Sequence, residues 1–300
     1  MTSPEPRYVR CLSPSGYHRM AYVEWGDPAN PRVLVCVHGL TRCGRDFDFL
    51  AQALADEYRV VCPDVVGRGM SDWLRDPAHY AIPQYEQDMI ALLARLDADQ
   101  VDWLGTSMGG MIGMALAAQL GADGGPGPIR RLILNDVGPV IAAAALARIG
   151  EYLATPPDFA SLEEAESYVR SVSAPFGPLD DAQWRHLTQN VVKDGPAGRM
   201  ILRYDPGIAA PFTAAMAAQG AGRDVELWPL YDAIRCPTLV VRGELSDLLS
   251  RDAVAAMRER GPRADAVEIA GVGHAPMFLD EAQVTVVRAF LTAATDDSVV

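Results

Sequence analysis

Residues 101–110 constrain the fold of this chain more than any other stretch. They begin with an apolar run that predicts a short buried strand, and residues 111–118 behind them predict a buried helix. Between the two lies a Gly-x-Ser-x-Gly sequence with Ser107 at its centre. We predict a sharp turn there. Gly105 and Gly109 suit such a turn, because a larger side chain at either position would collide with the neighbouring strand or helix. Such a turn holds the Ser107 hydroxyl above the sheet, at a helix N-terminus whose dipole favours negative charge.

Strand-like and helix-like segments alternate through most of the chain. The strand-like runs are apolar and β-branched, as residues 33–37 illustrate, which is typical of strands buried on both faces of a parallel sheet. Similar runs occupy residues 58–62, 132–134, 237–243 and 266–269, and helix-like segments occupy residues 47–55, 83–96, 251–260 and 281–293. Near the N-terminus, two strands at residues 8–12 and 19–25 are joined by a turn. The alternation predicts an α/β fold with a doubly wound, mostly parallel sheet.

The alternation stops between residues 139 and 227. This stretch contains no strand-like run of comparable quality, and its candidate helices are residues 142–153, 161–172 and 181–191. We therefore predict a helical cap formed by residues 139–227. The cap would be inserted into a core made of residues 1–138 and 228–300.

The composition excludes several classes of protein. The net charge of −13 argues against a surface that binds nucleic acid. The one lysine of the chain, Lys193, does not follow a glycine-rich phosphate loop, which excludes a Walker-type nucleotide site. No apolar run reaches the roughly 18 residues that a membrane span requires, so no such span is expected.

The cysteines point to a reducing compartment. The chain has 5 of them, scattered and without a Cys-x-x-Cys pair, which disfavours a zinc ribbon or a thioredoxin-type site. The first residues lack the basic and apolar regions of a secretory signal peptide. We therefore expect a cytoplasmic protein, in which the cysteines are mainly small buried apolar residues.

A serine hydroxyl at neutral pH is a poor nucleophile and needs a general base, which in turn needs an orienting carboxylate. His274 is the candidate base, because it lies in a loop after a late strand, and such loops face the same crevice. Asp247 is the favoured acid, since it follows a strand and lies between Ser107 and His274 in chain order. Glu244 is a local alternative, and Asp136, which follows an earlier strand, is the other.

A nucleophilic serine also requires donors for the negative oxygen of a tetrahedral intermediate. The backbone N–H of Met108, directly after the serine, is one candidate. The loop that follows residues 33–37 supplies the other, for which we favour Leu40, because Gly39 allows the backbone to turn closely. We expect His38 to support this loop by hydrogen bonds rather than to act as a base.

Together these elements strongly resemble the α/β-hydrolase fold family over nearly the whole chain. The matching residues are His38-Gly39, Asp64-x-x-Gly67-x-Gly69-x-Ser71-Asp72, Gly105-Thr106-Ser107-Met108-Gly109-Gly110, Asp247 and Gly273-His274. The resemblance implies a cap over the site, no metal and no organic cofactor. It also implies a structural role for residues 64–72. They would support the turn at Ser107 and the loop that follows residues 33–37, which we call the oxyanion loop.

Serine at the nucleophile position, rather than aspartate or cysteine, resembles the carboxylesterase-like branch of the family. This resemblance implies a serine esterase that cleaves small, mainly neutral carboxylic esters. A mainly apolar pocket would fit a neutral ester with a short or medium acyl chain, and hydroxyalkanoate oligoesters are one such class, which the sequence does not select. The expected partner is thus a small-molecule ester, not nucleic acid or a membrane, and the oligomeric state stays open. Carbon–carbon hydrolases, cofactor-free perhydrolases and non-catalytic receptors remain alternatives, although carbon–carbon hydrolases usually carry asparagine where this chain has Thr106.

The lining of the substrate pocket is less constrained by the sequence. Arg42, next to the oxyanion loop, could bind a carboxylate or could equally be an exposed arginine at a helix start. The cap contributes several apolar and aromatic candidates, most of which we expect in the core of the cap. They are Ile141, Tyr152, Phe176, Tyr204 and Phe212.

Overall fold

The computed structural model describes residues 4–98, 100–119, 127–153, 155–219 and 223–293, with the side chains of residues 152 and 215–219 excepted. Within these ranges, none of the helices combines the length and the apolar character needed to cross a bilayer. The end of the predicted core, residues 294–300, lies outside the described residues.

A central sheet of 8 strands runs through the molecule. In chain order the strands are β1 (Arg7–Ser13), β2 (Gly16–Trp25), β3 (Val33–Val37), β4 (Arg59–Pro63), β5 (Val101–Thr106), β6 (Ile129–Asn135), β7 (Thr238–Gly243) and β8 (Asp265–Ile269). Their order across the sheet is β1–β2–β4–β3–β5–β6–β7–β8. β2 pairs antiparallel with β1 and with β4, and the later neighbouring pairs are parallel. The mostly parallel sheet predicted from the sequence is confirmed.

Helices cover both faces of this sheet. In chain order the helices are α1 (Asp48–Leu54), α2 (Ile82–Leu96), α3 (Met108–Gln119), α4 (Ala143–Leu153), α5 (Leu162–Val172), α6 (Asp181–Val191), α7 (Ala209–Gln219), α8 (Trp228–Asp232), α9 (Arg251–Glu259) and α10 (Glu281–Thr292). In β3, Val35 and Val37 pack into the cluster that contains α2 and α3, whereas Leu34 and Cys36 pack with α1 and α10. Successive side chains of a strand point to opposite faces, so a strand covered on both faces is apolar throughout.

The segment between β6 and β7 adds no described residue to the central sheet. It holds helices α4 to α8, of which α4, α5 and α6 match the predicted helices and α7 and α8 were not predicted. It also holds two small sheets, which the sequence analysis missed. Their strands are Asp158–Phe159, Val192–Asp194 and Met200–Leu202 in one sheet and Val140–Ile141 and Val225–Glu226 in the other. Strands of two or three residues are too short to show the alternation by which strands are recognised.

Candidate active site

The strand–turn–helix around Ser107 has the predicted form. β5 ends at Thr106, α3 begins at Met108, and Ser107 between them adopts a φ of 52°, a conformation rare outside glycine. A Cβ on Gly105 would lie 2.3 Å from the carbonyl of Gly109, and a Cβ on Gly109 would lie 2.1 Å from the carbonyl oxygen of the last β3 residue. The two glycines therefore allow the helix to approach the sheet closely enough to form the turn.

His274 lies beside this turn, in the loop that follows β8. Its Nε2 is 3.1 Å from Ser107 Oγ, and its side chain is 17% exposed. Asn135, the last residue of β6, links the end of β5 to the His274 loop. Its Nδ2 donates to Thr106 Oγ1 at 2.9 Å and to the Pro276 carbonyl at 2.8 Å. The structure thus brings together the predicted nucleophile and the predicted base.

The carboxylate that contacts His274 is Asp136, which directly follows β6. Its Oδ2 lies 2.7 Å from His274 Nδ1 and accepts a hydrogen bond of 2.6 Å from Ser246 Oγ. Its Oδ1 accepts from the backbone N–H of Gly243 at 2.9 Å, and the residue is fully buried. A carboxylate held by several donors keeps the imidazole in one orientation, with its Nδ1–H donated to Asp136 and its Nε2 turned to Ser107.

The choice of Asp247 as the acid was wrong. Asp247 Oδ2 pairs with Arg148 at 2.6 Å instead of with His274, and both of these side chains are about half exposed. The local alternative, Glu244, accepts from the backbone N–H of Gly271 at 2.8 Å and also does not contact His274. Because β6 and β7 are neighbours in the sheet, a loop after either strand reaches the same edge, and chain order alone does not distinguish them.

Leu40 and Met108, the two predicted donors to the oxyanion, lie near the serine. Both line the same cavity as Ser107. The adjoining Gly39 is close as well, since a Cβ built on it would lie 3.8 Å from Ser107 Cβ. Met108 is the first residue of α3, where backbone N–H groups have no acceptor within the helix.

Arg68, which the sequence analysis missed, supports the oxyanion loop that carries Leu40. It is fully buried, and its Nε donates to the Leu40 carbonyl at 2.7 Å. Its Nη1 donates to the Val66 carbonyl at 2.8 Å and to the Tyr85 hydroxyl at 2.9 Å. The available signal was an arginine between two glycines in the loop of residues 64–72, where a buried guanidinium can satisfy several carbonyls at once.

His38 has the supporting role that was expected. Its Nε2 accepts from the Val65 backbone N–H at 2.9 Å, so its Nδ1 carries the proton and donates to the Gly39 carbonyl at 2.7 Å. Burial lowers the pKa of His38 to about 3, which keeps the imidazole neutral. The ring therefore joins the oxyanion loop to the start of the loop of residues 64–72.

Two cavities meet at Ser107. The larger, of about 790 Å³, lies between the core and the segment that joins β6 and β7, and its lining is mainly apolar. Two of the predicted lining residues, Ile141 and Phe212, contribute to it. The smaller cavity, of about 120 Å³, is lined by His274, Arg42, Arg148 and the predicted Phe176, among others.

Three other expectations about the pocket have different outcomes. Arg42 is not an exposed arginine, because its side chain is 13% exposed and its Nε and Nη2 donate to Asp46 at 2.8 and 2.6 Å. Tyr204 is buried in the apolar cluster that contains α2 and α3. The side chain of Tyr152 lies outside the described residues.

One group in the described part of the chain could supply metal ligands. Cys11, His18 and Asp88 are buried, and their ligand atoms lie within 4.8 Å of one another. His18 Nε2 already lies 2.9 Å from Asp88 Oδ2, so an ordinary buried hydrogen bond accounts for the pair. None of the three residues lines either cavity at Ser107.

Comparison with known proteins identifies the family. The model described as "Alpha/beta hydrolase family" matches residues 34–289, so the chain belongs to that family, as the resemblance of its motifs predicted. It is 52% identical over 295 residues to the 3-hydroxybutyrate-oligomer hydrolase of Cupriavidus necator, with 97% of this chain and 99% of that protein aligned.

Solved structures agree with this assignment. A putative hydrolase from Rickettsia typhi superimposes with a TM-score of 0.87 at 31% identity, covering 98% of this chain and 100% of that one. An alpha/beta hydrolase from Novosphingobium aromaticivorans gives a TM-score of 0.82 at 37% identity, covering 97% and 99% of the two chains.

Proposed function

We propose that this protein hydrolyses carboxylic esters through an acyl-enzyme formed on Ser107. The observation that carries the proposal is the continuous chain of hydrogen bonds from Ser107 through His274 to buried Asp136. A serine activated in this way is suited to attack a carbonyl carbon. The position of these groups at the junction of two cavities leaves room for a substrate on both sides of the serine.

The reaction proceeds in two halves. His274 Nε2 takes the Ser107 proton as Oγ attacks the ester carbonyl, and it then delivers that proton to the leaving alcohol as the carbon–oxygen bond breaks. Water next attacks the acyl-enzyme, with His274 again as the base, and releases the acid and free Ser107. Throughout, Asp136 holds the imidazole tautomer and stabilises the imidazolium.

The negative oxygen of each tetrahedral intermediate is held by the backbone N–H groups of Leu40 and Met108. These groups belong to two different elements. Buried Arg68 and His38 donate hydrogen bonds to the carbonyls of Leu40 and Gly39 in one loop, and Met108 is the first residue of α3. Preorganised donors of this kind stabilise the transition state, and losing one typically raises the barrier by about 3 kcal/mol.

As the substrate class we propose short oligoesters of 3-hydroxybutyrate. The support is the 52% identity to the Cupriavidus necator enzyme over 97% of this chain. The larger cavity also suits such a substrate, because it offers about 790 Å³ of mainly apolar space to a chain of methyl-bearing units. We further propose a reducing compartment such as the cytoplasm, since the 5 cysteines are all unpaired thiols.

Labelling of the serine tests this proposal. Intact-protein mass spectrometry after incubation with a small fluorophosphonate should show a single adduct on the wild type and none on Ser107→Ala. Ser107→Ala should also lower ester turnover by about 10⁶-fold, because the hydroxyl that forms the acyl-enzyme is gone. The control is Ser167→Ala, an exposed serine of α5 that lies outside both cavities and should react as the wild type does. Ester turnover that survives in Ser107→Ala would contradict the proposal.

A further inference from the structure

The two cavities at Ser107 differ in which parts of the proposed site they contain. Ser107 and Leu40 line both cavities, whereas Met108 lines only the larger one and His274 only the smaller one. In the proposed function, on which this inference rests, His274 transfers its proton to the leaving alcohol. The alcohol side of the ester must therefore lie in the smaller cavity, and the acyl side extends into the larger one.

The chemistry of a linear hydroxy-acid oligoester determines what enters the smaller cavity. Such a chain has one free hydroxyl end and one free carboxylate end, and the alcohol side of any of its ester bonds runs to the carboxylate end. The smaller cavity measures about 120 Å³, against about 790 Å³ for the larger. It therefore suits a single short hydroxy acid, whose negative charge would lie close to the cavity wall.

Two arginines line that cavity, and they differ in availability. Arg42 is committed to Asp46 through two hydrogen bonds within the protein. Arg148, on α4, is about half exposed and has its ion pair with Asp247, which is about half exposed too. Because an exposed ion pair is weak, a carboxylate that arrives from solvent can take the place of Asp247 at the guanidinium.

We propose that Arg148 binds the free carboxylate of the leaving hydroxy acid, in competition with Asp247. The enzyme then cleaves the ester bond nearest the carboxylate end. Each cycle transfers the remaining acyl chain to Ser107 and releases one hydroxy acid, whose new hydroxyl carries the proton from His274. Arg148 is a specificity residue in this scheme, and the substrate it selects is anionic rather than the neutral ester expected from the sequence.

The test compares a linear 3-hydroxybutyrate trimer as the free acid with its methyl ester, by kcat/KM on each. Arg148→Gln should lower the ratio of acid to methyl ester at least tenfold, mainly through a higher KM for the acid. Asp247→Asn should raise the same ratio severalfold, because it removes the competing carboxylate. The matched control is Arg199→Gln, since Arg199 forms a similarly exposed ion pair with Asp158 and lines neither cavity.

Product analysis gives a second readout. A trimer labelled with ¹³C in its carboxyl-terminal unit alone should release labelled monomer and unlabelled dimer first. In Arg148→Gln, labelled dimer and unlabelled monomer should appear as well. The reverse order in the wild type would overturn the proposal.

Other outcomes are equally decisive. An unchanged ratio in Arg148→Gln would overturn this inference while leaving ester hydrolysis intact. A lost preference in Arg223→Gln instead would place the carboxylate in the larger cavity, which Arg223 lines. If the wild type hydrolysed neither trimer, the proposed substrate class would fail together with the inference, whereas the labelling of Ser107 and the turnover of simple esters would still test ester hydrolysis by itself.

Discussion

Burial keeps the His38 ring neutral, and the neutral ring makes hydrogen bonds on both sides of the oxyanion loop. Both ring nitrogens are used, Nε2 as an acceptor from Val65 and Nδ1 as a donor to Gly39. A protonated ring could not accept the first of these hydrogen bonds. Burial lowers the pKa of His38 to about 3, so folding requires the neutral form.

This burial predicts a pH dependence of stability. Between the ordinary pKa of about 6.5 and the folded value of about 3, the unfolded chain binds a proton at His38 that the folded protein does not. The free energy of unfolding should therefore fall as the pH is lowered through this window, by up to about 1.4 kcal/mol per pH unit from this residue. Urea unfolding of the wild type and of His38→Gln at several pH values measures it. The variant should show the shallower slope, and equal slopes would contradict the assigned role.

At the scale of single elements, the turn between β5 and α3 depends on close packing. α3 passes so near the sheet that Gly109 faces the carbonyl of the last β3 residue. Trp103 of β5 is buried beneath the helix, and its Nε1 donates to the Gly109 carbonyl at 3.0 Å. Strand and helix are thus joined by contacts that leave no space for a further methyl group.

A glycine-to-alanine pair measures this packing. Gly109→Ala should lower the free energy of unfolding by about 3 kcal/mol, because its Cβ would meet backbone that cannot move aside. Gly39→Ala is the control, since its Cβ would make only contacts of 3.8 Å or longer. Denaturant unfolding should show a small change, roughly 0.5 kcal/mol, for this control. Equal losses in the two variants would contradict the packing argument.

The elements differ in how far they could be predicted. The long buried strands and the periodic helices of the core could be identified, because each carries a repeated apolar pattern. The two-residue strands could not, since pairing partners such as Val140–Ile141 and Val225–Glu226 are brought together only by the fold. Helix α7 was missed because its residues are apolar nearly all round and show no periodic face.

At the scale of the whole molecule, the site is assembled from loops at one edge of the sheet. Ser107 and His274 could be identified because each is marked by its own local sequence and by a place after a strand. The acid could not, because β6 and β7 are neighbours and both end beside the His274 loop. The left-handed backbone of Asp136, with a φ of 53°, helps place its carboxylate under the imidazole, and no sequence pattern discloses that geometry.

The most direct test of the account compares Asp136→Asn with Asp247→Asn by kcat on a simple ester. Asp136→Asn should lower kcat by about 10⁴-fold, because an amide in place of the carboxylate no longer holds the imidazole in the productive tautomer. Asp247→Asn should lower it less than about tenfold, since that carboxylate faces Arg148 and not His274. Circular dichroism would confirm that both variants are folded. A large loss of kcat in Asp247→Asn, with Asp136→Asn still active, would contradict the account. It would identify Asp247, in the loop after β7, as the acid instead.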